Sequence, residues 1–344
     1  MAKLSLEEAI REVNKKCKSP VCNVGLKFDE VNRIPFSSPR LNYMTYGGIP
    51  VGRIIEFSGE EGGGKTTTAL DLVARAQKMF TDKQVLYVDV ERTLDAEWAR
   101  KLGVDIDSLI LFSPDEQTAE EIMEATKTII ETGSISLCVV DSLAAMVSAQ
   151  AYSKTIEDRT YGGISMALTL FSKEMIPICA RTGCTMIGIN QIREDMNSTY
   201  GGTTTTGGRA WRHNCSVRMV FQKSDYLDDK GNSIPRNSEN PVGHLVKVAL
   251  VKSKVCKLDR KVGTYTLNYL TGIDYISDII DLAIKAGIIN AAGAWYSIID
   301  DKGDVAQNEG TPLKFQGKTR LHQFLSENAD WTDEINEQVL AHFS

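Results

Sequence analysis

The chain of 344 residues lacks several features that would place it in broad classes. It has no apolar run near the roughly 18 residues that span a bilayer. Its opening, MAKLSLEEAIREV, carries too much charge for a secretory leader. A cytoplasmic protein with no membrane partner is therefore expected. Histidine is scarce, at 4 residues, and the 7 cysteines show no finger-like spacing. Four residues separate Cys17 from Cys22, and Cys179 from Cys184, but no further Cys or His pair supplies the other half of a tetrahedral zinc site. Reduced thiols, serving as small buried apolar residues, are the expectation. A surplus of basic charge is also missing, since the formal net charge is −6. That excludes a uniformly cationic coat, but not a local cationic surface for nucleic acid. There is no internal repeat, which sets repeat architectures aside.

What is present is an ordinary globular composition, 42% hydrophobic and 24% charged. The length suits one large domain with a smaller one. Ser5 and Glu8 form a capping box ahead of Leu6, Ile10 and Val13, so a short amphipathic helix is predicted over about 6–16. Short continuous apolar runs follow at 53–58, 84–90, 109–112, 136–141 and 185–190, separated by helical patterns at 65–80, 116–132 and 162–181. This alternation predicts a mostly parallel sheet flanked by helices, with binding chemistry outside the carboxyl ends of its strands. Strands at about 214–223, 243–252 and 261–268 follow without long helices, as an antiparallel extension would. Three parts are expected: an N-terminal helix and linker for oligomerisation (1–35), an α/β core (36–270) and a small C-terminal α/β domain (271–344). In the last, GAWYSIIDDKGDVA predicts a hairpin around Asp300 to Gly303, while TPLKFQGKTRLHQFLSEN and DWTDEINEQVLAHF predict helices.

Gly59-Glu60-Glu61-Gly62-Gly63-Gly64-Lys65-Thr66 fits G-x-x-x-x-G-K-[ST], with a strand before it and a helix after. The glycines let backbone N–H groups, with that of Thr67 close behind, wrap around phosphate, while Lys65 reaches the β- and γ-phosphates. Thr66 is expected to place its hydroxyl on Mg2+. Asp141 ends the strand SLCVVD and reads either as a second Mg2+ carboxylate acting through water or as a helix N-cap, roles that are compatible. Glu91 lies just past a strand in VDVERTLD, where it can orient an attacking water, and is assigned as catalytic base over the alternative of a solvated loop acid. These residues imply a P-loop ATPase that binds ATP. Helicases, adaptor ATPases and recombinases share that much.

A wider match decides among them. VGRIIEFSGEEGGGKTTT, VDVERTLDAEWARKLGVDID, VVDSLAAM, INQIR, TTTTGG, VKSK and GAWYS occur in one order across most of residues 35–300. In order and spacing they resemble the bacterial RecA recombinase family. The resemblance implies a RecA-like P-loop core and a DNA-dependent ATPase that forms a helical filament on single-stranded DNA and exchanges strands with homologous duplex DNA. It implies that Asp95 and Trp98 contact adenine, with Trp98 where the family usually has tyrosine. It implies that Gln191 senses the γ-phosphate, and that Lys252 and Lys254 reach a neighbouring subunit's γ-phosphate. NSTYGGTTTTGGR, residues 197–209, resembles the family's second DNA-binding loop. Its chemistry fits that role. Gly201, Gly202, Gly207 and Gly208 permit close approach to a sugar–phosphate backbone, Thr203 and its neighbours donate to phosphates, and Tyr200 stacks on bases between Arg193 and Arg209. Lys154 and Arg159 would serve a first DNA loop.

Two departures stand out. Arg212-His213 replaces the family's usual Lys-Phe, which puts subunit coupling in question, and the chain ends in DWTDEINEQVLAHFS, without the long acidic tail of many bacterial members. Both suit a divergent member, such as a phage-encoded one. Two other functions stay open on the same core: a regulatory filament or coprotease platform, and a repair motor or helicase loader.

Overall fold

The computed structural model describes residues 5–17, 31–153, 163–194, 203–229, 231–235 and 237–343. Two units separate, at residues 1–32 and 33–344. In the first, Leu6–Cys17 is an amphipathic helix closed by the expected Ser5–Glu8 box, in which each residue's backbone N–H donates to the other's side chain. None of its residues is buried, so Cys17 is exposed, against the expectation for the cysteines.

The second unit is built on an 11-stranded sheet. In chain order its strands are β1 (Ile54–Gly59), β2 (Gln84–Asp89), β3 (Leu109–Phe112), β4 (Ile135–Asp141), β5 (Thr185–Glu194) and β6 (Thr203–Thr205), then β7 (Val217–Leu227), β8 (Ser233–Ile234), β9 (Gly243–Ser253), β10 (Val262–Asn268) and β11 (Gly272–Asp274). Across the sheet the order is β11-β10-β9-β7-β1-β5-β4-β2-β3, with β8 on β7 and β6 on β5. All pairs from β7 through β1 to β3 are parallel, and β9, β10 and β11 add antiparallel strands. Every residue of β1 and β4 is buried, as befits strands covered on both faces. The run LILF, by contrast, is an edge strand with Leu111 half exposed.

Helices Lys65–Met79, Ala119–Glu131 and Gly163–Thr182 cover the sheet close to the expected limits. The last corrects one expectation, because by length and composition it could cross a membrane. Its buried Leu168, Phe171, Met175, Ile178 and Cys179 join one of the two cores of the sheet. Cys138, Cys184 and Cys215 are buried there too, and burial pushes the Cys179 thiol up to about 12. Short helices at Pro39–Thr45, Ala96–Lys101 and Gly208–Asn214 had no sequence forecast; each is too short to show a periodic apolar face.

Tyr275–Ala286, Lys318–Glu327 and Ala329–Phe343 pack with a three-stranded antiparallel sheet (Ile289–Ala292, Trp295–Ile298, Lys314–Gln316) around a core of their own. The expected helix at TPLKFQ is corrected to strand. Lys314–Gln316 pairs with Trp295–Ser297, and Gly310 and Gly317, both at positive φ, leave too few residues between them to nucleate a helix.

Candidate nucleotide and DNA site

The parallel strands deliver their carboxyl ends to one edge, where the P-loop turns from β1 into helix Lys65–Met79. Gly64 sits at the helix N-cap with φ 92°, and a Cβ there would lie 2.7 Å from the Tyr265 hydroxyl. A Cβ at Gly59 would lie 2.1 Å from the Phe221 carbonyl oxygen. Both positions therefore require glycine. The loop is held against β7 and β10 this closely because Tyr265 also hydrogen-bonds the Thr68 hydroxyl, at 2.8 Å.

Lys65 is buried, and its Nζ donates to the carbonyls of Gly59 at 3.0 Å and Glu60 at 2.6 Å. Burial lowers its pKa, while Asp141, Glu91, Glu61 and Glu60 pull it back up. The ammonium thus rests on its own loop, in reach of a phosphate placed there. Thr66 Oγ1 donates to Asp141 Oδ2 at 2.8 Å, and Tyr87 Oη donates to the same oxygen at 2.8 Å. Burial raises the Asp141 carboxyl, opposed by these two hydroxyls. A threonine hydroxyl beside a carboxylate is the hard-oxygen donor set that suits Mg2+, completed by phosphate oxygens and water. Among the described residues no cluster of three or more His, Cys, Asp or Glu forms an all-protein metal cage. The N-cap reading of Asp141 moves one residue on: Ser142 occupies the N-cap of the turn Leu143–Ala145.

Glu91 is placed by the neighbouring acids. Asp89 accepts from the backbone N–H groups of Thr93 and Leu94, both at 3.1 Å, and the backbone N–H of Glu91 donates to the Asp141 carbonyl at 3.3 Å. Its carboxylate accepts from Ser142 Oγ at 2.5 Å and from Gln191 Nε2 at 3.4 Å. Gln191 pairs in register with Gly59, so the strand carrying it runs directly beside the P-loop. Asp95 caps helix Ala96–Lys101 through the N–H groups of Glu97 and Trp98. That aims Trp98 at the P-loop helix, its Nε1 3.4 Å from Thr67 Oγ1. Lys65, Thr66, Thr67, Glu91, Asp95, Trp98, Asp141 and Gln191 therefore converge. Tyr87, Ser142 and Asp89 join them unanticipated; the one sequence signal for Tyr87 is a hydroxyl inside the otherwise apolar run VLYV.

Lys252 and Lys254 do not join this cluster. Lys252 Nζ donates to the carbonyls of Arg212 and His213, both at 2.7 Å, and Lys254 Nζ to that of His213 at 2.8 Å. Lys252 pairs with Arg218, and Arg218 with Glu56. At about 3.3 Å per residue, Lys252 therefore lies roughly 10 Å back from the level of Gly59.

The family model described as RecA N-terminal domain matches residues 4–274, and that described as RecA C-terminal domain matches residues 277–344. The chain belongs to the RecA family. It is 33% identical over 341 residues to Protein RecA of Lactobacillus delbrueckii subsp. bulgaricus, covering 98% of this chain and 96% of the relative. It is 34% identical over 299 residues to that of Clostridioides difficile (87% and 79%) and 32% identical over 343 residues to that of Ruminococcus albus (98% and 80%). RecA membership implies an ATP-binding, DNA-dependent ATPase of recombination and repair.

The segments expected to contact DNA are described in part. Tyr200, Gly201, Gly202, Lys154 and Arg159 lie outside the described residues. Arg193 and Thr203 lie on the paired strands β5 and β6. Gly207 and Gly208, at φ 100° and 68°, open helix Gly208–Asn214, with Arg209 exposed in its first turn. The hydroxyls of Thr205 and Thr206 are buried without a partner among the described residues, so the base of the loop holds donors that it does not satisfy internally.

Proposed function

We propose that the chain is an ATP-dependent homologous recombinase, which forms a helical filament on single-stranded DNA and carries out homologous pairing and strand exchange. The observation that carries this reading is Gln191. One residue hydrogen-bonds the candidate base Glu91, lies in register with the first P-loop glycine, and continues along its strand into the segment proposed to hold DNA.

In this reading ATP binds with its phosphates in the loop Gly59–Thr66. Lys65 transfers its donors from the loop carbonyls to phosphate oxygens. Thr66 and Asp141 would hold Mg2+, partly through water, and the ion would supply charge neutralisation at the phosphates. Glu91, fixed by Ser142, orients and deprotonates the attacking water. Asp95 and Trp98 bound the adenine. Lys252 and Lys254 supply positive charge to the γ-phosphate of an adjacent subunit, the helix Leu6–Cys17 serving assembly. The loop after Arg193 grips DNA through backbone, threonine and stacking contacts that read no base edges, as a sequence-indifferent recombinase requires.

The deciding experiment is strand exchange between single-stranded DNA and either homologous or heterologous duplex, with ATP and Mg2+. Exchange confined to the homologous duplex is expected. An ATPase that binds DNA but never exchanges would shift the reading to a regulatory filament or a repair motor.

A further inference from the structure

Glu56 lies at the middle of β1 and is completely buried. A carboxylate in that position is costly unless every lone pair that matters is met by a donor. Its donors come from three other segments. Arg218 of β7 forms an ion pair with Oε2, while Oε1 accepts from Trp211 Nε1 at 3.0 Å and from Asn190 Nδ2 at 3.1 Å. Trp211, itself fully buried, belongs to the helix that follows the candidate DNA loop. Asn190 immediately precedes Gln191. Its amide nitrogen also donates to the Thr206 carbonyl at 2.8 Å, and its oxygen accepts from the Gln191 backbone N–H at 3.0 Å.

An amide nitrogen has two hydrogens, and Asn190 commits one to Glu56 and the other to the end of the loop. A shift of the Gln191 backbone, as distinct from a turn of its side chain, moves Asn190 with it, because the Asn190 amide oxygen holds the Gln191 N–H. Either the bond to Glu56 breaks, leaving a buried charge short of a donor, or Trp211 and Thr206 move in concert. A half-satisfied buried network is costlier than either complete arrangement.

We infer that Glu56, with Trp211 and Asn190, is a positioning centre that makes the arrangement of the loop and helix 203–214 follow the nucleotide state at Gln191. This rests on the recombinase reading for its DNA consequence, but the linkage itself is measurable without DNA. Glu56 touches neither phosphate nor DNA, and Arg218 supplies its countercharge.

The test uses the full-length protein and two variants. Trp211→Phe removes one donor and keeps an aromatic ring; Glu56→Gln keeps an acceptor and removes the charge. Hydrogen exchange over residues 203–214 is followed with and without ATPγS, and ATP turnover with and without oligo(dT). In the unaltered protein, exchange in this segment responds to ATPγS and turnover rises with DNA. In Trp211→Phe, turnover without DNA stays within about twofold, the exchange response is lost, and the stimulation ratio falls by about 5- to 150-fold, the usual span of inter-site coupling. If Glu56→Gln does not fold, Trp211→Phe decides alone. A folded Trp211→Phe protein with full exchange response and full stimulation overturns the inference, as does an unaltered protein whose segment ignores ATPγS. An exchange response without any DNA stimulation in the unaltered protein supports the linkage and instead sinks the recombinase reading.

Discussion

At the carboxyl ends of β1, β2, β4 and β5 the central sheet gathers Asp141 and Glu91, with Glu61 and Glu60 of the loop, around one buried lysine, Lys65. Near the far end of β9 it presents two lysines, Lys252 and Lys254, whose ammonium groups rest on backbone carbonyls. The first region is rich in acid and poor in cation, although phosphoryl transfer spreads negative charge over three equatorial oxygens. The second has cations that rest on backbone carbonyls, and burial lowers the Lys252 pKa, with Lys254 adding to the effect. Each region holds what the other lacks. Their separation along the sheet keeps them apart within one chain, and the proposed reading has them meet between copies.

The largest expected effect tests the first region alone. Lys65→Ala removes the one cation bonded to the P-loop carbonyls. ATP turnover should fall by about a hundred- to a thousandfold, the scale for loss of one preorganised transition-state donor. Undiminished turnover of the purified variant by phosphate release would reject the site.

The next experiment addresses the comparison directly. A Glu91→Gln protein and a Lys252→Ala/Lys254→Ala protein should each be nearly inactive, for different reasons. Co-assembled in equal amounts, they should restore roughly one site in four, since each site then has an even chance of each intact half, on the logic of fingers supplied in trans. DNA-stimulated ATPase of the mixture is the readout, with electron microscopy to show that both variants enter filaments. Mixed filaments with no recovery would place the lysines in cis or outside catalysis.

How legible these regions were in the sequence follows from how local their determinants are. Gly59 to Thr66 is a contiguous motif whose neighbours in sequence fix its geometry, and strand ends such as Asp141 follow from apolar runs that stop at an acid. Tyr87 and Ser142 were invisible as site residues because their roles depend on which strands lie side by side. The Glu56 centre was hidden for the same reason: Glu56, Asn190, Trp211 and Arg218 are brought together by the order β7-β1-β5 and by the return of helix Gly208–Asn214. In the C-terminal domain, pattern failed at TPLKFQ, where pairing with Trp295–Ser297 overrode a stretch with no decisive period.

A smaller effect probes the DNA side. Tyr200→Ala removes the sole aromatic of 197–209. Single-stranded DNA affinity at fixed salt should weaken by about 1–3 kcal/mol, one stacked base, while nucleotide binding persists. Unchanged affinity would remove the loop from the DNA contact.

The smallest effect contrasts two buried carboxyls, one in the first region and one outside both. Asp141 belongs to the candidate nucleotide site; Asp278 sits on helix Tyr275–Ala286 and lines a cavity of about 430 Å³ with Thr264, Tyr265 and Lys318. Burial pushes the Asp278 carboxyl up to about 7, opposed by the Ser38 hydroxyl and by Arg40, whose Nε is 3.9 Å away. In the unfolded chain it titrates at about 3.9. Between those values the folded protein holds a proton that the unfolded chain has released. Stability should therefore be highest below the unfolded value, fall as pH rises, and level off above the folded one. The limit is about 1.4 kcal/mol for each pH unit crossed, a few kcal/mol in all. Asp278→Asn keeps an acceptor for Ser38 and cannot ionise. Relative to the unaltered protein it should gain stability progressively from about pH 4 to about pH 7 and stay level beyond, with ATP turnover unchanged. Asp141→Asn should instead abolish Mg2+-dependent turnover. Urea unfolding of the Asp278 pair across that range is the measurement, and a difference that does not vary with pH would show that Asp278 is already ionised when folded.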